Sequence, residues 1–496
     1  MFDRIKTLVT HVVIYGFGNA GNRLVGFLLI PIYSRYLTPA DYGVLALVAM
    51  FGQILYAFMN MGQSSALFRT YFRNDNPTRR ETVVTTSLWL ILGLSFPVGL
   101  LALVLAKPLA WLLTGSPAYT MWVVVGIAGI AFKTLLRLPM AVLRAREQSH
   151  AYAAVSFAQT MAGLVLALIF VVGLHLGGQG VLLSQLLAEV LICLYILPVV
   201  LRGLRARFSA NDAKDLLGYG LALIPAALLS FVIHLSDRYF LKVFVSVSAV
   251  GIYALGYRFG EILYFVIVAF ELAYPQFLFG HLKNPEAPTL YARVCTYYLA
   301  ILGAAWLAVS LPAEQIVRIM AHPAYHEAYH VVPWIAGAFL FQGLGVTWNV
   351  GMQVHRIVKY RLLISATTAV LSLALNFLLI PRFGMMGAAV AALTCFVVQF
   401  AIQMVVGNRL YAVPYEYGRV ARLILVGASI YAVGSAIDWG STVSALTGKA
   451  LFMLSAPLLL YAVGFFEPGE MSRVKQLLDG LRRRARPLAQ ARDSGE

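Results

Sequence analysis

Apolar runs of about 20 residues, enough to cross roughly 30 Å of hydrocarbon, recur from end to end of the chain with short polar interruptions. Candidate spans fall at about 11–37, 42–66, 82–105, 119–142, 152–174 and 180–201 in the first half. The second half gives 217–243, 249–275, 290–312, 331–353, 361–381 and 384–407, with two more at 418–437 and 446–466. This pattern predicts an all-α polytopic membrane protein of fourteen transmembrane helices. Composition agrees, since 60% of residues are hydrophobic and only 12% charged, about half the charged share of a soluble domain. No polar stretch is long enough for a separate soluble domain.

An even number of spans puts both termini on one side, and the lysines and arginines choose which. They crowd the tails and the loops on that side, including Arg69, Arg73, Arg79 and Arg80 together. The opposite loops hold only Arg35, Lys107, Lys242, Arg318, Arg382 and Lys449. The positive-inside rule then makes both termini cytoplasmic, in a multi-pass arrangement. The net charge of +17 is thereby read as topology rather than as a nucleic-acid surface, and no nucleic-acid partner is expected. The start, MFDRIKTLV, has no small-residue cleavage site and reads as the lead-in to the first span. Cys193, Cys295 and Cys395 sit singly in apolar segments and read as buried hydrophobes.

The chain repeats itself. FGQILY at 51–56 returns as FGEILY at 259–264, and Gly43 and Gly251 open the similar stretches YGVLAL and VGIYAL. Tyr15-Gly16 returns as Tyr219-Gly220, Arg35-Tyr36 as Arg238-Tyr239, and Gly177 and Gly180 as Gly384 and Gly387. Six spans per repeat give both halves the same orientation, with an axis along the membrane normal and a cavity between two six-helix bundles. The predicted organisation is an N-terminal lobe at 1–207, a C-terminal lobe at 208–411, helices 13 and 14 within 412–469, and a basic cytoplasmic tail at 470–496. Val474, Leu477, Leu478 and Leu481 among the tail's basic residues suit a helix lying on anionic headgroups, or a soluble basic tail.

Two motif matches lack their chemistry. Gly16-Phe-Gly18-Asn-Ala-Gly21 fits GxGxxG, but within a spanning segment and without a βαβ unit the glycines read as a bending device. His326-Glu327-Ala-Tyr-His330 fits HExxH with His322 one turn earlier, yet no acidic third ligand follows. An interfacial helix with Tyr325 and Tyr329 at the aromatic belt is the simpler expectation. There is no P-loop signature and no Ser/His/Asp set, so neither a cofactor, a metal nor an enzymatic role is expected.

Charge within the spans carries the functional reading, because an intramembrane ion is expensive and functional by default. Arg23 lies near the middle of the first span, flanked by Asn19 and Asn22. Its repeat counterpart is Ala226 or Ala227, whereas Arg258 and Glu261 stand where the first half has Met50 and Gln53. Two guanidinium groups facing one cavity, Arg23 and Arg258, suit a phosphate or pyrophosphate. Glu261 could instead neutralise Arg258 within the helix or serve as a proton or cation site. Asp237 and Arg238, near the outer end of the seventh span, read as a snorkelling or gate pair. Lys133 and Glu189 are expected to pair structurally or to play a role in the first lobe. Asn376, Gln53 and Gln399 read as interhelical hydrogen bonds or cavity lining.

The opening YGFGNAGNRLVGFLLIPIYSRYLTPADYG resembles the first helix and loop of bacterial polysaccharide (O-antigen-type) flippases of the multidrug/oligosaccharidyl-lipid/polysaccharide (MOP) exporter superfamily. The shared pattern is a Gly-rich start, a central basic residue and a Pro-x-Tyr-x-Arg-Tyr-Leu-x-Pro-x-x-Tyr-Gly run from Pro31 to Gly43. The resemblance implies a MATE-like pair of lobes, alternating access, and location in the bacterial inner membrane. It also implies a polyprenyl-pyrophosphate-linked oligosaccharide as substrate, moved from the cytoplasmic to the periplasmic leaflet, alongside membrane lipids and other polysaccharide-assembly proteins. A cation-coupled drug antiporter of the same superfamily is the alternative. Such antiporters tend to carry an acidic residue in the first helix, and here none stands between Asp3 and Asp41. A membrane polysaccharide polymerase or ligase is more remote, because it needs a large periplasmic loop and the longest outer loop here spans about 313–330.

Overall fold

A computed structural model describes residues 26–202, 204–205, 207–355 and 358–467. Every regular element among them is helical, and 11 helices are long and apolar enough to cross a membrane. A twelfth span is counted if Pro323–His330 and Val332–Trp348, bent by 46°, are taken together. The 52-residue helix Lys359–Leu410 holds two of the expected spans, broken at Gly384 where φ is 56°. The chain is thus an all-α, multi-pass membrane protein, and the layout is consistent with fourteen spans. Most of the first span lies outside the described residues.

In chain order the α-helices that matter here are α1 (Ile30–Tyr36), α2 (Pro39–Asn60), α3 (Gln63–Arg73), α4 (Pro77–Val104) and α5 (Ala106–Thr114). They continue with α6 (Thr120–Ala145), α7 (Ser149–Ala167), α8 (Gly177–Leu201), α9 (Ala210–Leu221), α10 (Ile224–Phe244) and α11 (Val247–Gly260). Then come α12 (Leu263–His281), α13 (Ala287–Ser310), α14 (Ala313–Met320), α15 (Val332–Trp348), α16 (Val350–Val354), α17 (Val358–Leu410) and α18 (Tyr417–Ala436).

The internal repeat appears in the packing. Thr38 caps α2, its hydroxyl accepting from the Asp41 N–H while Asp41 reaches back to the Thr38 N–H. Ser246, at the equivalent place, caps α11 by accepting from the Ala249 N–H. Just inside these caps the two helices cross. A Cβ on Gly43 would lie 1.9 Å from the Val247 carbonyl oxygen, and one on Gly251 would lie 1.9 Å from the Pro39 carbonyl oxygen. Pro39 and Val247 occupy the same place in the two repeats, so the contact is reciprocal, as across a twofold axis. The turn before the last span of each repeat is also shared, with Gly177 and Gly384 both at φ +56°, a conformation open chiefly to glycine.

The repeat diverges where FGQILY and FGEILY lie. The first copy is continuous helix within α2. The second is interrupted, since α11 stops at Gly260 with Glu261 as its C-cap and α12 begins at Leu263.

The His-Glu-Ala-Tyr-His segment is not an interfacial α-helix. Pro323–His330 is a 3-10 helix, in which the side chains three apart, not four, share a face. Tyr325 is fully buried, its hydroxyl donating to the Leu37 carbonyl at 2.9 Å, and its ring meets Tyr42 edge-on. The His322 N–H also donates to Ser34 Oγ. The segment is pinned to the start of the α2 region rather than to an aromatic belt.

By contacts the described residues form two compact units, within Met1–Asn284 plus Ala313–Ala412 and within Pro285–Pro312 plus Val413–Glu496. The second unit joins α13 and α18 through Leu307, Leu311, Val426 and Ile430. Arg419, one of its buried cations, lies 3.1 Å from Glu416 and over the Phe465 ring, while Thr296 donates to the same carboxylate at 2.6 Å. Cys193, Cys295 and Cys395 are all buried. The basic tail lies outside the described residues.

Candidate functional site

The first unit encloses a cavity of about 930 Å3, lined by both repeats. From the first come Tyr33, then Tyr42, Gln53, Tyr56 and Asn60 of α2, and Gln185 of α8. From the second come Ser230, His234 and Arg238 of α10, Tyr257 and Arg258 of α11, Glu261, and Gln342 of α15. All formal charges among these lining residues belong to the second repeat.

The two arginines differ in state. Arg238 is 7% exposed and Asp237 6%, and they pair at 3.0 Å. The Tyr253 hydroxyl donates to the other Asp237 oxygen at 2.6 Å. Arg238 also donates to the His234 carbonyl and lies 4.5 Å from the Tyr257 ring centroid. This pair does not snorkel: it is buried inside the protein and closed by hydrogen bonds from three sides. Such closure is what makes a buried ion pair tolerable.

Arg258 is exposed to the cavity. It makes no hydrogen bond or ion pair among the described residues, although Tyr42, Glu261 and Tyr33 lie within electrostatic reach. A Cβ on Gly26 would sit 3.4 Å from its Nη1, so the guanidinium rests against the first span at Gly26. Phe27 meets Phe259 edge-on beside it. Asn19, Asn22 and Arg23, the expected companions, lie outside the described residues. Glu261 lines the same cavity at the α11–α12 break.

Two other expected polar groups make interhelical hydrogen bonds. Glu189 accepts from Gln159 at 2.9 Å and forms no ion pair with Lys133 among the described residues. Asn376 reaches Ser236 across α10 and α17. One feature escapes a residue-by-residue reading of the sequence: Lys133, Arg137 and Arg144 follow one face of α6 at intervals of one and two turns. Arg137 and Arg144 act electrostatically on Tyr56, a cavity-lining residue. Their helical spacing, with Lys133 and Arg137 inside the expected span 119–142 and Arg144 just beyond it, was the available signal.

Residues 32–271 match a family model described as polysaccharide biosynthesis protein. A Haemophilus influenzae protein named for the Lsg locus is 22% identical over 340 residues, 66% of this chain and 80% of that protein. Among solved structures, the lipid II flippase MurJ in an inward closed conformation superposes with a TM-score of 0.75 at 10% identity, covering 91% of this chain and 98% of that one. An inward-facing multidrug resistance MATE family transporter of the MOP superfamily gives 0.62 at 16% identity, over 81% and 96%. At these identities the superpositions show the fold. The resemblance drawn from Pro31 to Gly43 is thus joined by two findings, a polysaccharide-biosynthesis family match over 32–271 and a fold shared with these two solved structures.

Proposed function

We propose that a chain with this fold and this family match is a flippase for an undecaprenyl-pyrophosphate-linked oligosaccharide. It moves the lipid from the cytoplasmic to the periplasmic leaflet by alternating access, with both termini cytoplasmic, for assembly of a surface polysaccharide such as O-antigen. The carrying observation is Arg258, an arginine exposed to a polar cavity that makes no hydrogen bond or ion pair among the described residues, with Glu261 only within electrostatic reach. A guanidinium held by no direct contact is costly inside a membrane protein, and an anion entering the cavity during the working cycle would offset that cost. Pyrophosphate matches it, because guanidinium binds phosphate oxygens with paired, charge-assisted hydrogen bonds. Arg23, in the same first span that meets Arg258 at Gly26, is the second ligand in this reading, with Asn19 and Asn22 beside it.

The test is Arg258→Gln, which keeps hydrogen-bonding capacity and removes charge. A charge-assisted contact of about 2 kcal/mol corresponds to roughly thirtyfold in substrate affinity. Surface polysaccharide in a complemented deletion strain should fall sharply at unchanged protein level. Full production by Arg258→Gln and by Arg23→Ala would overturn the reading. Glu261 in the same cavity favours a second reading, a cation-coupled antiporter. That reading gains if deletion leaves the glycan intact and sensitises cells to drugs, and if Glu261→Gln reproduces both.

A further inference from the structure

The four arginines after the second span are not equivalent. Arg80 is tied down locally, donating to the Asn74 carbonyl at 2.6 Å and lying 3.9 Å from Asp75. Arg79 faces Asp212 at 3.6 Å. Arg69 and Arg73 instead open onto a second cavity of about 490 Å3, between α3 and α9, lined also by Thr70, Lys214, Asp215 and Tyr219. Arg69 lies over the Tyr219 ring at 4.7 Å and has no carboxylate partner among the described residues. Arg73 reaches Asp215 only at 3.9 Å, with both side chains largely in solvent. Three cations therefore share one carboxylate.

The cations are contributed from both repeats, Arg69 and Arg73 by α3 and Lys214 by α9. The two helices meet closely beside the cavity, where a Cβ on Gly220 would fall 2.1 Å from the Met61 carbonyl oxygen. On α3, each arginine follows an exposed phenylalanine, Phe68 at 43% and Phe72 at 45%, with ring centroids 4.8 Å apart. A topology signal requires only a number of positive charges. It requires neither a formed cavity shared by two helices nor an exposed aromatic pair next to its arginines in the same helix.

We infer that this cavity binds the phosphate-bearing headgroup of a membrane lipid, with Arg69 and Arg73 on one side, Lys214 on the other, and the lipid's apolar part against Phe68 and Phe72. A free phosphate would satisfy the cations and leave the aromatic pair unused. Bulk anionic phospholipid and the polyprenyl-pyrophosphate of the proposed substrate share this chemistry. A bound headgroup also links α3 to α9, and so ties one repeat to the other at the basic end of the bundle.

Native mass spectrometry of the full-length protein in detergent, titrated separately with phosphatidylglycerol, undecaprenyl pyrophosphate and phosphatidylcholine, tests the site. A Lys or Arg near an anionic surface contributes about fivefold to binding. Arg69→Gln/Arg73→Gln should weaken retention of an anionic lipid on the order of tenfold or more, and Lys214→Gln about fivefold. Arg80→Gln, which removes the same charge outside the cavity, should leave retention unchanged, as should phosphatidylcholine throughout. A loss confined to phosphatidylglycerol assigns the site to bulk lipid, and that outcome stands whether or not the chain is a flippase. A loss confined to undecaprenyl pyrophosphate assigns it to the substrate. Unchanged retention in the double variant, or an equal drop in Arg80→Gln, overturns the proposal; if the double variant does not fold, Lys214→Gln alone decides.

Discussion

Gly43→Ala is the sharpest probe of the repeat interface, because two effects oppose each other there. Alanine inside a helix is favoured over glycine by about 0.8–1.0 kcal/mol. At this crossing, however, the new methyl would stand 1.9 Å from the Val247 carbonyl oxygen, where real Cβ atoms essentially never come closer than 3.0 Å. The obstacle is backbone, so no side-chain rotation relieves it, and α2 and α11 must separate by about an ångström. Overpacking of this kind costs about 1–3 kcal/mol, enough to outweigh the propensity gain. Gly251→Ala meets the Pro39 carbonyl at the same 1.9 Å and should cost the same. Once the helices have parted for one methyl, the second needs little more, so the double variant should be less destabilised than the two singles together, by about 1–2 kcal/mol. Thermal unfolding in detergent reads this as two similar drops in apparent Tm and a double variant near either single. Gly93→Ala in α4, with nothing within 4 Å of its Cβ, supplies the control and should hold or raise Tm. If Gly43→Ala behaves like Gly93→Ala, or if the two losses simply add, the reciprocal crossing is not what holds these helices together.

The two cavity arginines should separate cleanly in the same assay. Arg238→Met leaves Asp237 buried without its cation and should cost about 3–5 kcal/mol. Arg258→Met breaks no hydrogen bond or ion pair among the described residues and should stay within about 0.5 kcal/mol of the parent, while abolishing export. Tyr253→Phe removes the 2.6 Å hydrogen bond to Asp237 and should cost about 1–3 kcal/mol, because the donor is lost from a buried carboxylate. In the second unit, Arg419→Met strands Glu416 and should lower Tm as strongly as Arg238→Met. Its recovery on adding Glu416→Gln would show that the stranded charge, rather than lost packing, is responsible.

Much of the architecture was legible because hydrophobic length and charge bias are properties of local sequence. The repeat was legible too, because glycine at 43 and 251, and at 177 and 384, marks places where the backbone admits nothing larger or needs a positive φ. The site was less so. Arg238 and Arg258 look alike as isolated intramembrane arginines, and only the fold brings Tyr253 onto Asp237 and turns Arg238 into a closed pair. Nor does FGEILY announce that its helix stops at Gly260, since FGQILY differs by one residue and runs straight on. The His-Glu-Ala-Tyr-His segment misled in the other direction. Tyr325, read as a membrane-belt aromatic, is buried against Leu37, a partner 288 positions away in sequence.

Symmetry is kept and broken in different places, and the proposed substrate accounts for the division. At the α2–α11 crossing both repeats present the same backbone to each other, so the same small residue is required on each side and drift is blocked. The cavity has no such constraint. Its described charged residues, Arg238, Arg258 and Glu261, come from the second repeat, while the first supplies Gln53, Gln185, Asn60 and the phenols of Tyr42 and Tyr56. A symmetric ligand would gain nothing from this split. A lipid-linked saccharide is itself divided, with a dense negative charge at the pyrophosphate and neutral hydroxyls beyond it. The guanidinium of Arg258 suits the first, and amide and phenol groups, which donate and accept without charge, suit the second. On the proposed function, each repeat would hold one chemical end of the same molecule, and loading the cavity would engage both at once. Such engagement would supply the differential affinity between conformations that any ligand-driven change of state requires.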